Sequence, residues 1–219
     1  NKDNRFKKNL VKARLIRLMQ AATNPELLKQ PLSAFAEEES LDLRDIEEDS
    51  EIIRSVIEYH NTETPAKFEA ALQIINDIIS KGGKVVVWAC YIKTIELFKD
   101  FLAERGISSR TLFGATPVAF DGMTEEDEGY SDTREAIIKE FHNPNSEFKV
   151  IIANPFAVAE SISLHKACHN AIYMERSFNC AHYMQSKDRI HRYGLAKDVK
   201  TNYFYLLSED SVDETVDTR

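Results

Sequence analysis

Five short runs of apolar residues recur along the chain after about residue 80, and a longer amphipathic stretch separates most of them from the next. A continuous apolar run is typical of a strand buried on both faces of a parallel sheet, whereas apolar residues three and four positions apart line one face of a helix. The alternation predicts βαβ units with helices on both faces of the sheet. The predicted strands are Lys84–Ala89, Ser109–Phe113, Phe148–Ala153, Ala171–Met174 and Val199–Leu207.

Capping residues mark where the intervening helices begin and end. Thr64 followed by Pro65 is a helix start, and Gly106 has the place of a helix-ending glycine. The predicted helices are Pro65–Ser80, Ile92–Glu104, Ser131–Phe141 with Ser131 as its cap, Ala181–Tyr193 and Ser208–Val216. Because ligands of such sheets bind beyond the carboxyl ends of the strands, we expect function in four loops: Cys90–Lys93, Gly114–Thr116, Asn154–Leu164 and Glu175–Asn179.

The N-terminal part follows a different pattern. A helical spacing of apolar residues ends at Asn24-Pro25, residues Ser33–Ser50 are acidic and lack periodicity, and Glu51–Tyr59 has the spacing of a short second helix. We therefore predict a helical appendage or linker over residues 1–62, with an acidic and mobile loop at 33–50, followed by one α/β domain over residues 63–219.

The charge distribution changes the meaning of the overall charge of −8. Glu37–Glu58 contains ten acidic and two basic residues, whereas Arg176–Lys200 contains six basic and two acidic residues. The second segment predicts a phosphate-binding patch on an otherwise acidic protein. The three cysteines have no disulfide-framework spacing, and no 18-residue apolar run occurs. The cysteine pattern favours a reducing compartment, the cytoplasm or a nucleus. Without such an apolar run, we expect no membrane partner.

The densest candidate chemistry lies in Gln185–Gly194, which reads QSKDRIHRYG. On one continuous helix, offsets of three, four and seven place four polar residues on one face: Gln185, Asp188, Arg189 and Arg192. Two guanidiniums there form a natural clamp for a phosphate. A solvated face with an internal Asp–Arg pair explains the same spacing, so the spacing alone leaves both interpretations open.

The stretch resembles motif VI of superfamily 2 helicases, in the form QxxDRxHRxG of the Swi/Snf family of ATP-driven DNA translocases. Val150–Asn179 resembles that family's motif V with the strand and turn after it, and the resemblance runs from about Thr64 to the C-terminus. It implies the second RecA-like lobe of a motor. Arg192, and secondarily Arg189, would be arginine fingers for ATP, and Gln185 would position the helix or contact the γ-phosphate.

Motif V departs from the family pattern, because most of its glycines are replaced. Ser161 and Ser163 retain hydroxyls where Gly and Asn are common, and the resemblance places them near the nucleotide, with Ser163 near the ribose. For Asn154, Thr116 and Lys166 it implies contacts with DNA phosphates. Turn or strand-end roles explain Asn154 and Thr116 equally well.

Several other chemistries are not favoured. His165, Cys168, His169, Cys180 and His182 match no common zinc spacing, so we expect no metal site. The glycines of Lys81-Gly82-Gly83-Lys84 precede a strand instead of following one, so they predict a turn and not a phosphate loop.

The sequence contains neither a Walker A loop nor a DExx box. We therefore expect half of an active site from a longer polypeptide, inactive alone, with ATP and Mg²⁺ bound mainly by the first lobe. Its expected partners are that lobe and double-stranded DNA. The alternative is a degenerate lobe that binds nucleic acid or protein without catalysis; a free-standing flavodoxin-like ligand binder fits motif VI poorly.

Overall fold

The computed structural model of the protein describes residues 2–29, 63–156, 162–176, 179–192, 195 and 199–218. It divides into two compact units. One comprises Asn1–Glu69 together with Leu207–Arg219, and the other is Ala70–Leu206. The predicted acidic loop at 33–50 and the predicted helix at Glu51–Tyr59 lie outside the described residues.

The larger unit is built on a five-stranded sheet in the order β2-β3-β1-β4-β5. All neighbouring strands are parallel, and β1 lies in the centre, where Val86 is opposite Ile151 of β3 and Ala171 of β4. The strands are β1 Val85–Trp88, β2 Ser109–Leu112, β3 Val150–Ala153, β4 Asn170–Tyr173 and β5 Asn202–Tyr205. The predicted parallel α/β fold is therefore confirmed.

Burial follows the position of each strand in the sheet. Every residue of β1 and β3 is buried, whereas β5 lies at the edge and is exposed or half-buried. One cluster of buried apolar side chains packs the sheet against residues outside it. It includes Trp88 of β1 together with Phe141 and Ile190. Continuous apolar runs therefore predicted the central strands well, because both of their faces are covered.

The helices are α1 Lys2–Thr23, α2 Ala66–Ser80, α3 Ile92–Glu104, α4 Arg134–His142, α5 Cys180–Lys187 and α6 Val212–Asp217. Helix α3 has its predicted bounds. Gly106, at φ 73°, follows its end, and Ile107 N–H donates to the Leu102 carbonyl at 2.9 Å. This is the glycine-dependent helix ending that the sequence indicates.

Several predicted helix bounds are wrong. Helix α6 begins at Val212, after its cap Ser211, and not at Ser208. The cap of α4 is Thr133, whose side chain accepts from Ala136 N–H at 3.3 Å, because Tyr130–Asp132 forms a separate 3₁₀ turn that includes Ser131. Helix α5 ends at Lys187 and not at Tyr193. Beyond it, Arg189 N–H bonds to the Ser186 carbonyl three residues back, at 3.2 Å.

The smaller unit contains α1, a 3₁₀ turn at Pro25–Lys29 and α6. A salt bridge of 2.6 Å joins Lys67 to Asp213, both nearly buried, and Ser208 Oγ donates to the Ala22 carbonyl at 2.6 Å. The first contact joins the C-terminal segment to the first turn of α2, and the second joins it to the end of α1. The sequence predicts a boundary near residue 62, and in this division Leu207–Arg219 groups with the N-terminal segment.

Candidate functional site

At the carboxyl edge of the sheet, two polar side chains hold the turn that follows β1. Glu175, 3% exposed, accepts from Cys90 N–H at 2.8 Å and from the Thr94 hydroxyl at 2.7 Å. Asn154, 4% exposed, donates to the Cys90 carbonyl at 2.8 Å and accepts from Phe156 N–H at 2.8 Å. Both atoms of the Asn154 amide are therefore used inside the lobe.

Thr116 closes the turn after β2. Its hydroxyl oxygen accepts from Phe113 N–H at 3.0 Å and donates to the Thr111 carbonyl at 3.4 Å, and the residue is 8% exposed. A threonine used in this way stabilises a tight turn.

The motif VI arginines lie near the amino ends of the strands, on the side of the sheet away from the carboxyl-end turns described above. Helix α5 starts after β4 and runs back, so its C-terminal end approaches the amino ends of the strands. Leu164 N–H donates to the Arg189 carbonyl at 2.8 Å, and the ring of His191 meets the hydroxyl of Thr201, just before β5, at 3.3 Å. Motif VI therefore lies away from the four carboxyl-end loops in which the sequence predicts function.

The two arginines also differ from each other, and α5 ends before either of them. Arg189 is half-buried and donates to the Ile162 carbonyl at 3.1 Å, with its Nε buried and unpartnered. Burial first, and then the charge of Arg192, lowers the pKa of Arg189. The guanidinium of Arg192 is exposed, with no hydrogen bond or ion pair to any residue of the described ranges.

The predicted shared helix face does not form. Gln185 lies on α5 and is exposed, whereas Asp188 is the C-cap and both arginines come after it. The guanidinium of Arg189 bonds to a backbone carbonyl of motif V, so the internal Asp–Arg pair of the alternative interpretation does not form either. The position of Arg189 is therefore set by its hydrogen bond to the Ile162 carbonyl, 27 residues away in the sequence, and not by helical periodicity.

Ser163 and His165 form a bonded pair beside these arginines. The Ser163 hydroxyl lies 2.7 Å from His165 Nδ1. Partial burial, followed by the charges of Arg192 and Lys166, lowers the pKa of His165. Lys166 itself is exposed, and Ser161 lies outside the described residues.

Aromatic side chains fix α5 against the edge strand. The hydroxyls of Tyr183 and Tyr205 are 2.7 Å apart, and that of Tyr173 is 2.8 Å from Ser186 Oγ. The Lys187 ammonium lies over the rings of Tyr183, at 5.4 Å, and Tyr203, at 5.0 Å, as in cation–π contacts. These contacts fix the helix that leads into the two arginines.

Sequence reasoning missed Glu175 and the tyrosine cluster. The signal for Glu175 was its position directly after a buried strand, at the edge where parallel strands end. Tyr203 and Tyr205 alternate along β5, and Tyr183 faces them from α5. This cluster can be recognised only once the position of β5 in the sheet is known.

The His and Cys residues weighed as a zinc site take separate places. Cys168 is buried, its Sγ lies 3.4 Å from the Lys84 carbonyl, and burial raises its thiol pKa to about 12. His182 packs edge-on against Phe156, with ring centroids 4.5 Å apart. Within the described part of the chain, no three His, Cys, Asp or Glu side chains converge as metal ligands would.

None of the helices in the described ranges is long and apolar enough to span a bilayer.

Comparison with known proteins identifies the family. Residues 66–194 match the helicase conserved C-terminal domain. The chain is 30% identical over 154 residues to an uncharacterized ATP-dependent helicase of Mycoplasma pneumoniae, covering 70% of this chain and 13% of that protein. It is 25% identical over 166 residues to Switch 2 of Arabidopsis thaliana, covering 76% of this chain and 17% of that protein.

A remodelling-complex subunit and a solved structure add to the comparison. The subunit is snf22 of the SWI/SNF chromatin-remodeling complex of Schizosaccharomyces pombe, 23% identical over 70% of this chain and 8% of its own length. The crystal structure of the C-terminal part of the Fun30 ATPase domain has the same fold, with a TM-score of 0.57 and 19% identity over 92% of this chain and 66% of that one.

The curated relatives are thus much longer than the chain, which spans from 8% to 17% of the three compared above. The matched residues include the motif V region, Val150–Asn179, and all of motif VI, Gln185–Gly194, and the five-stranded sheet is parallel throughout. The chain therefore belongs to the helicase conserved C-terminal domain family, and it is similar to the C-terminal lobe of Swi/Snf-family proteins in sequence and in fold.

Proposed function

We propose that this lobe completes the ATPase site of an ATP-driven DNA translocase, with Arg192 as its arginine finger. The observation that carries the proposal is that the guanidinium of Arg192 is exposed and has no partner among the described residues. Arg189, three residues earlier, is held by its hydrogen bond to the Ile162 carbonyl. A finger must leave its guanidinium available for an incoming phosphate while its backbone is held in place. Charge that develops on the transferring phosphoryl oxygens is then stabilised without reorganisation.

Arg189 would support this role from behind. Its bond to the Ile162 carbonyl ties the turn after α5 to motif V, and its half-buried charge adds to the positive field. Gln185 is exposed on the helix that leads into this turn, so it can approach a bound nucleotide or a facing lobe. We propose a secondary contact for Arg189 and an orienting contact for Gln185.

The residues at this edge fit a polyphosphate better than a metal ion. The groups that act on His165 are all cationic or basic: Arg192, Lys166, His142 and His169. Hard divalent cations require carboxylate or carbonyl oxygens. ATP with Mg²⁺ would therefore be held mainly by a first lobe, where the metal neutralises charge on the phosphates, and this lobe would contribute donors to the phosphate oxygens.

DNA contacts would follow the same division between direct and supporting residues. Lys166 is exposed and can neutralise a phosphate directly. Asn154 and Thr116 use their side chains internally, so we propose that they shape the turns that approach the DNA backbone. Binding of duplex DNA by the chain alone should be weak and fall steeply with salt, because few phosphates are neutralised.

The half-site proposal has a direct test. The isolated chain should show no DNA-stimulated ATP hydrolysis, whereas a longer parent protein with a GKT-type loop and a DExx box should show it. Turnover by the isolated chain well above that of its Arg189→Ala/Arg192→Ala double variant would refute the proposal. A parent protein without those two elements would favour the non-catalytic binding module instead.

A further inference from the structure

We propose that His165, held by Ser163, is a third donor to the terminal phosphates of the nucleotide and forms one anion site with Arg189 and Arg192. The inference rests on the proposed function, because it takes Arg192 to face the ATP site. It assigns to the motif V segment a direct phosphate contact in addition to the ribose contact expected of Ser163.

The two segments that carry these residues are joined by a pair of hydrogen bonds. The Arg189 carbonyl accepts from Leu164 N–H at 2.8 Å, and Arg189 Nη1 donates to the Ile162 carbonyl at 3.1 Å. Ile162, Leu164 and Ile190 are at most 1% exposed, so apolar packing fixes both segments at the joint. His165 directly follows Leu164, and Arg192 follows Arg189 by three residues. The backbone that carries both side chains is therefore fixed by the same pair of hydrogen bonds.

Ser163 sets the orientation of the imidazole. With 2.7 Å between its hydroxyl and His165 Nδ1, the serine O–H can donate to Nδ1. The neutral ring then carries its proton on Nε2, which is left as a donor. Such a second contact is how proteins select the tautomer of a ligand-binding histidine.

The electrostatic surroundings of His165 match a polyanion. Partial burial lowers its pKa most, followed by Arg192, Lys166, His142 and His169, and no described carboxylate figures among the causes. The carboxylate of Asp188 acts on Arg189, but no described carboxylate acts on His165. Cationic groups around an imidazole attract phosphate and disfavour the imidazolium. A bound phosphate would reverse that effect and favour proton uptake by the ring.

Two buried side-chain nitrogens at this edge also bear on the proposal. Arg189 Nε and His169 Nδ1 are buried and have no hydrogen-bond partner among the described residues. An unsatisfied buried donor is costly, and native structures usually satisfy it with protein, water or a ligand. Both groups lie near the proposed site, because Arg189 belongs to it and His169 acts on His165.

The first test uses the chain alone, with pyrophosphate as the probe. Histidine side-chain NMR titrations should give a higher pKa for His165 when pyrophosphate is present, and Arg192→Ala should weaken this response severalfold. His191→Gln, which alters an exposed histidine of the motif VI turn without a proposed role, should leave it unchanged. No response of His165 to saturating pyrophosphate would overturn the inference.

The second test separates this inference from the proposed function. In the full-length protein, His165→Gln should raise the KM for ATP about tenfold or more, since one donor to a charged group is lost. Ser163→Ala should act in the same direction and Ser163→Thr should restore binding. A wild-type KM in His165→Gln, with turnover still lost in Arg192→Ala, would refute the role of His165 and leave the finger intact.

Discussion

The carbonyl oxygen of Arg189 accepts a hydrogen bond from the backbone N–H of Leu164 at 2.8 Å, although 25 positions separate the two residues in the sequence. The bond forms two residues beyond Lys187, where α5 ends. It turns the chain so that Arg189 and Arg192 occupy different environments. The pairing of motif V with motif VI therefore decides which arginine is buried and which is available.

Replacing the two arginines should change the free energy of unfolding by different amounts. Arg189→Ala should lower the free energy of unfolding by about 1–3 kcal/mol, because the buried Ile162 carbonyl loses its charged donor. Arg192→Ala should change it by less than about 0.5 kcal/mol, as expected for an exposed residue. Urea unfolding of both variants measures the difference, and equal losses would contradict the assigned environments.

Glu175 should be important for the stability of the lobe despite its position near the motif V loop. Glu175→Ala leaves Cys90 N–H and the Thr94 hydroxyl without their buried acceptor and should cost about 2–4 kcal/mol. Glu175→Gln keeps one amide oxygen and should cost less. Glu104→Ala, which alters an exposed glutamate, is the control, and thermal melts with urea titrations give the comparison.

The ion pair of the smaller unit should be strongly coupled. Lys67 and Asp213 are 4% and 9% exposed at their side chains and 2.6 Å apart, so removing one partner leaves a buried charge. Lys67→Met or Asp213→Leu alone should cost about 3–5 kcal/mol, and the double variant should cost clearly less than the sum. Additive losses in this double-mutant cycle would refute the coupling.

His165 should make the stability of the lobe depend on pH. Its pKa in the folded state lies below the ordinary value, through burial first and neighbouring cations second, so the unfolded chain binds the proton more readily. The contribution is present in full above pH of about 6.5 and is lost as the pH falls through the folded-state value. His165→Gln should flatten this part of the unfolding profile, and an unchanged profile would contradict the environment described.

The sequence predicted most of the sheet but little of the site geometry, for reasons that particular residues illustrate. The runs at Val85–Trp88 and Val150–Ala153 are apolar because they are covered on both faces, so local pattern and final environment agree. The Arg189 carbonyl bonds to Leu164 N–H, a contact that no local pattern around Arg189 reveals. Burial of Asn154 and Glu175 likewise depends on Cys90, far away in the sequence.

The roles of Arg192 and of the motif VI turn are tested most directly by single-turnover ATP hydrolysis in the full-length protein, at saturating ATP and DNA. With ATP kept saturating, Arg192→Ala should lower the rate roughly 10³–10⁵-fold with a nearly unchanged melting temperature, and Arg192→Lys should restore little of it. Arg110→Ala, which removes an exposed arginine on β2, should hydrolyse ATP at the wild-type rate. A wild-type rate in Arg192→Ala would contradict the arginine-finger role and leave the turn a solvated, charged surface.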